Sequence, residues 1–81
     1  MGIIPDYAGT EKEGMRIDGV SPGKPAAKAG LLKGDVITAI DGKTVGSIYD
    51  YMARMKAYSP GQIISVDILR GKVKIVILVT L

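Results

Sequence analysis

The sequence predicts an α+β fold, a small antiparallel β-sandwich or partly open barrel of five or six short strands capped by two helices. Three observations carry this expectation. β-branched residues gather in short runs, the longest being "QIISVDILRGKVKIVILVTL" over residues 62–81. Turn-forming pairs separate the runs, at Pro22-Gly23, Gly34-Asp35, Asp41-Gly42 and Pro60-Gly61. Two segments carry helix start signals, one at Pro25 and one at Ser47.

Taken in order, "GIIP" opens an apolar strand that stops at Pro5, whose nitrogen has no hydrogen to give to a ladder, which suits an edge strand. "TEKEG" (residues 10–14) reads as a polar loop. "MRIDGV" (residues 15–20) sets Met15, Ile17 and Val20 against Arg16 and Asp18, the pattern of a half-buried strand, and Pro22-Gly23 breaks it. Pro25 fits the first position of a helix, where a missing N–H costs nothing. Ala26, Ala27 and Ala29 form helix readily with little bulk, Lys28 suits the last turn, and Gly30 suits a left-handed cap. Leu31 and Leu32 are expected to anchor the exit. Gly34-Asp35 then turns into "VITAI" (residues 36–40), apolar on both faces apart from Thr38 and so a central strand. Asp41-Gly42 is a hairpin signal, and "KTV" (residues 43–45) pairs back.

Ser47 followed by Asp50 resembles a capping box with Asp in the place of Glu or Gln. The helix it starts is expected from Ile48 to about Ala57. Ile48, Met52 and Met55 recur at i, i+4, i+7, and Tyr51, Met55 and Tyr58 repeat the interval one step round. That apolar arc is wider than packing on one sheet needs. Residues 62–81 read as a hairpin with Arg70-Gly71 as its two-residue turn. Ile64, Val66 and Ile68 then face Ile77, Ile75 and Val73, and Asp67 faces Lys74.

The same residues exclude several chemistries. The chain has no cysteine, histidine or tryptophan, so disulfides, thiolate metal sites and the usual general base are absent. Ser21, Ser47, Ser59 and Ser65 have no histidine to activate them, the carboxylates do not cluster, and no phosphate loop is present. No catalysis and no cofactor are expected of this domain. The net charge is +3, with eleven Lys and Arg scattered rather than in a run, which argues against nucleic acid. No apolar run reaches the roughly 20 residues of a membrane helix. Met1 leads into "GIIPDY" without a basic start or cleavage site, so no signal peptide is read.

The string "VSPGKPAAKAGLLKGDVITAIDGKTV" (residues 20–45) resembles the central block of PDZ domains of the type found in bacterial proteases, and the resemblance runs through "SIYDYMARM", "SPGQIISVDILR" and the last strand. It implies a peptide-binding module with the permuted, bacterial strand order, in which Lys72 to Leu81 replaces the strand preceding the loop in animal members. Met1-Gly2-Ile3 matches the apolar-Gly-apolar loop whose backbone N–H groups hold a peptide's terminal carboxylate. Glycine suits such a close approach, and successive N–H groups form an anion nest. Ile3 and Ile4 would begin the strand that pairs with the peptide, and Ile48, Met52 and Met55 match helix positions lining the groove. Partners implied are peptide or protein C-termini with an apolar last residue, and the domain's own parent protease. A domain whose groove is closed and only packs against that parent is the alternative. "GIIPDYAG" and "GMRIDGVSPGKPAAKAG" look closest to PDZ domains of secreted bacterial zinc aminopeptidases, and similar modules occur in C-terminal processing proteases and envelope serine proteases. By that resemblance residues 1–81 form a single domain, monomeric in isolation, of a larger extracytoplasmic hydrolase, with any zinc outside the domain.

Overall fold

A computed structural model describes residues 1–6 and 14–81, so the polar loop expected at residues 10–14 lies outside the described residues up to Gly14. The elements are β1 (Ile3–Pro5), β2 (Met15–Val20), α1 (Pro25–Ala29), β3 (Val36–Ile40), β4 (Lys43–Thr44), α2 (Ile48–Met55), β5 (Ile63–Arg70) and β6 (Val73–Thr80). Every pairing is antiparallel. The sheet runs β1-β2-β3-β5-β6, with β4 attached to β3, and it does not close into a barrel. The α+β expectation of five or six strands and two helices therefore holds, with six strands and in its open form.

Local chemistry explains most boundaries. Pro25 occupies the first turn of α1, and Gly30 ends it at φ 98°. The Leu31 N–H donates to the Ala26 carbonyl (3.1 Å) and the Gly30 N–H to that of Ala27 (3.2 Å), the pattern of a glycine-terminated Schellman cap. Ala26 is fully buried, and α1 lies against β6. Only one of the two expected leucine anchors enters the core: Leu31 is buried, whereas Leu32 is 53% exposed. Asp41 and Gly42 both take positive φ (49° and 78°), as a type I′ turn requires, and Ile40 pairs with Lys43 across them.

The C-terminal hairpin has a different register from the one expected. Arg70 pairs with Val73, so the turn is Gly71-Lys72, with Gly71 at φ 64°. Asp67 faces Val76, and Lys74 faces Leu69. Arg70 is drawn into the strand because its guanidinium is held by the Asp35 carboxylate (2.8 and 2.9 Å) and by the Gly30 carbonyl (3.0 Å). A shift of two residues preserves the alternation, so Ile64, Val66 and Ile68 still face apolar partners, now Val79, Ile77 and Ile75.

The helix α2 is also shorter than expected. Ser47 caps it by accepting the Asp50 N–H (3.3 Å), while the Asp50 carboxylate reaches back to the Gly46 N–H (2.9 Å), one residue beyond the position a capping box uses. At the other end the Ala57 and Tyr58 N–H groups donate to Arg54 and Met55, three residues back, which tightens the last turn out of α-geometry.

The core lies between the sheet and the helices. Ile17, Leu31, Ile37, Ile40, Val45, Ile64, Val66, Ile68 and Val79 are essentially excluded from water. Burial on this scale contributes about 1.5–3 kcal/mol for each large aliphatic side chain. Among the described residues one charged side chain is buried, Asp35. Its carboxylate accepts from the Leu32 N–H (2.9 Å) as well as from Arg70, so the Gly34-Asp35 step is a buried ion-pair site as well as a turn.

Candidate functional site

β1 lies at one end of the strand order, and among the described residues it pairs only with β2. Its hydrogen bonds fix which way each residue faces. The Gly2 carbonyl accepts the Ser21 N–H (2.8 Å), and the Asp6 N–H donates to the Arg16 carbonyl (3.0 Å). Ile4 pairs with Gly19 between them. Backbone groups alternate along a strand, so the Gly2 carbonyl, Ile4 and the Asp6 N–H address β2. Ile3 and Pro5 present theirs to the opposite, open edge. The Ile17 N–H and carbonyl, across from Pro5, go instead to the Asp35 carbonyl (2.9 Å) and the Gly34 N–H (2.9 Å), consistent with that alternation.

The loop that leads into this edge is tightly held. Gly2 sits at φ 80°, in the left-handed region, and a Cβ there would collide with Cβ and Cγ of Lys24. The Met1 carbonyl accepts the Ala26 N–H (3.0 Å), one of the donors that the start of α1 would otherwise leave unpaired, Lys24 supplying no side-chain cap. The Gly2–Ile3 turn is thus fixed between β2 and the first turn of α1, with the Ile3 N–H aimed at the open edge.

The helix α2 covers the same core as β1. Ile3, Ile48, Tyr51, Met55 and Tyr58 pack half-buried against it, and no α2 residue is fully buried. Met52 lies further round the helix and is 53% exposed, while the Ile4 side chain is 49% exposed on the outer face of β1. An open pocket of about 230 Å³ joins the end of α2 to the start of the chain, lined by Met1, Pro25, Met55, Tyr58, Pro60 and Leu81 among others. The structure therefore brings together Met1 and Met55 of the expected site residues in this pocket, packs Ile3 and Ile48 half-buried against the core, holds Gly2 in the loop, and leaves Met52 and Ile4 at the surface. Tyr58, Pro25 and Leu81 were not foreseen; the Tyr51–Met55–Tyr58 repeat was the one signal that pointed to Tyr58. Burial pushes the Tyr51 phenol up to about 12, so it is neutral under the helix. Among the described residues no group of His, Cys, Asp or Glu is placed to hold a metal ion.

An open edge strand beside a half-buried helix face defines a domain of the strand-addition class, in which an extended segment joins a sheet and places alternate side chains against a helix. The chain is a PDZ domain: residues 7–81 match the model of that family. It is 33% identical over 70 residues to the periplasmic pH-dependent serine endoprotease DegQ of Escherichia coli, a match covering 86% of this chain and 15% of DegQ. The HtrA-type protease AlgW with a decapeptide superposes with a TM-score of 0.84 at 30% identity, covering 98% of this chain and 27% of AlgW. The HtrA3 PDZ domain bound to the phage-derived ligand FGRWV shares the fold (TM-score 0.81, 17% identity, covering 99% of this chain and 81% of that one). The expected closest kinship with zinc aminopeptidases is not supported. An aminopeptidase N family protein from Idiomarina loihiensis matches at 22% identity (TM-score 0.83, covering 96% of this chain and 13% of that one), which shows the fold alone, whereas the similar sequences are serine endoproteases.

Proposed function

We propose that this PDZ domain captures the free C-terminus of a peptide or protein whose last residue is apolar, and that it serves as the substrate-recognition or regulatory domain of an extracytoplasmic, Deg-type serine protease. The observation that carries the proposal is the outward-facing Ile3 backbone on an edge that no strand pairs with among the described residues, beside the half-buried face of α2. The ligand adds antiparallel to β1. N–H groups of Met1, Gly2 and Ile3 hold its carboxylate, and its last side chain enters between Ile3, Met52 and Met55. Ile4 and Ile48 flank that site. The domain itself performs no chemistry, and it acts as a monomer when isolated. AlgW with a decapeptide and the HtrA3 domain with FGRWV support peptide capture by analogy. The periplasmic relative supports the compartment.

NMR titration with C-terminally free and amidated versions of one apolar-ended peptide tests this. Shifts at Gly2, Ile3 and Met55 with the free peptide, much weaker with the amide, are expected. Met52→Lys, which places a charge at the groove mouth, should abolish binding at unchanged thermal stability. Equal shifts with both peptides refute carboxylate capture, and no shifts at millimolar peptide favour a closed domain that only packs against its parent.

A further inference from the structure

We infer that Pro5 ends the strand-addition ladder at the third residue from the ligand's C-terminus, so that this domain reads a three-residue tail and gains little from residues further back. The inference rests on the peptide-capture reading and concerns what limits it. β1 offers its open edge only at Ile3 and Pro5, because Ile4 between them addresses β2, as do the Gly2 carbonyl before it and the Asp6 N–H after it. Ile3 supplies both an N–H and a carbonyl. Pro5 supplies a carbonyl alone, because its nitrogen carries no hydrogen. With the carboxylate on the Ile3 N–H, the last ligand residue donates its N–H to the Ile3 carbonyl. The third-from-last residue donates to the Pro5 carbonyl, and its own carbonyl meets no donor on β1.

A second feature bends the strand at the same point. The register slips between Ile4 and Pro5: Ile4 pairs with Gly19 and Pro5 with Ile17, leaving Asp18 as the extra residue of a bulge. Bulges increase local twist and carry an edge away from straight pairing. Proline and a bulge together are the devices by which sheets blunt an edge against extended pairing. Here they act at Pro5, three residues beyond Gly2. The chemical consequence is a partner with a short free tail, including one that projects only three extended residues from a folded body.

The test compares wild type with Pro5→Ala, using acetylated peptides of three, six and ten residues that all end in the same Val-Val carboxylate. For wild type, affinity is expected to change less than twofold from three residues to ten. Pro5→Ala restores a backbone donor and should bind the peptides roughly two- to tenfold more tightly, the effect of one net hydrogen bond. An ester replacing the amide between the third- and second-from-last residues weakens that one acceptor. It should cancel the gain in Pro5→Ala and leave wild type nearly unaffected. Wild-type affinity that rises tenfold or more with length, or a Pro5→Ala gain that survives the ester, overturns the inference while leaving peptide capture standing. Failure of both proteins to bind any of the peptides overturns both. Thermal melts of both proteins check that the variant is folded.

Discussion

The pair between the buried Asp35 carboxylate and the partly exposed Arg70 guanidinium offers the sharpest test of how this small domain is held together. Asp35→Asn keeps the side chain's shape and its acceptor for the Leu32 N–H, but removes the charge that binds Arg70 at 2.8 and 2.9 Å. Hydrogen bonds to charged groups contribute about 1.5–3 kcal/mol each. The Arg70 side chain is 37% exposed, so solvent screens part of that, and the substitution should cost about 2 kcal/mol in total. In a domain of this size that lowers Tm by about 8–16 °C. The pH dependence has a definite sign. Burial alone would raise the Asp35 carboxyl, but the Arg70 hydrogen bonds, the Leu32 N–H and the Arg70 charge together outweigh it and hold the group below its ordinary value of 3.8. The folded state therefore releases the proton more readily than the unfolded chain. The stabilisation is complete above about pH 4 and is lost as pH falls through the folded value. Thermal melts of wild type and Asp35→Asn should differ by a constant gap from neutral pH down to about pH 5, and the gap should shrink below about pH 4. A gap that persists unchanged in acid, or no gap at neutral pH, refutes the assignment.

Two further substitutions test the site's surroundings. Gly2→Ala forces an alanine into φ 80° against Lys24, so it should weaken peptide binding at least severalfold while the core stays folded; adding Lys24→Gly relieves the collision but not the backbone conformation, so NMR titration should show only partial recovery. Tyr51→Phe should remove the phenol that ionises at about 12 from an ultraviolet titration, and loss of a phase at lower pH instead would show that Tyr51 is not the buried ring.

Much of the fold was legible because its signals are short-range. Pro25, the alanines and Gly30 define a helix whose start and cap depend only on neighbouring residues, and Asp41-Gly42 meets the conformational demand of its own turn. The misread features are those that depend on distant partners. Arg70 looked like a turn residue because its partner Asp35 lies 35 positions away, and the apolar pattern could not reveal the error, since a two-residue slip keeps every side chain on its face. Leu32 was expected inside because it is apolar, yet the turn that buries Asp35 uses the Leu32 N–H and leaves its side chain outside. In the site, the helix spacing singled out Ile48, Met52 and Met55, of which Ile48 and Met55 are half-buried and Met52 is exposed, but the pocket joining Met1 to Pro25, Tyr58 and Leu81 assembles four separated segments, which no local pattern encodes. Pro5 was legible as an edge proline; which edge it faces required the hydrogen bonds at Gly2 and Asp6.

These contacts also connect the stabilising ion pair to the binding loop. Arg70 donates to the Gly30 carbonyl at the C-terminal end of α1, and the Ala26 N–H at its start donates to the Met1 carbonyl. The helix has only five residues, so a displacement at one end is carried to the other with little room for absorption. Ala26 is fully buried, which limits sliding, but the other helix residues are not, which leaves tilting possible. Freed from Asp35, the Arg70 guanidinium would lose the anchor that keeps it on Gly30. The Met1–Gly2 turn, and with it the Ile3 N–H, should then sit less firmly in the geometry that a carboxylate needs. Asp35→Asn should accordingly weaken peptide affinity severalfold at a temperature where the variant is fully folded, although Asp35 lies outside the groove. Unchanged affinity under those conditions would show that packing of Ala26 and Leu31 alone fixes α1, and that the ion pair serves stability without reaching the loop.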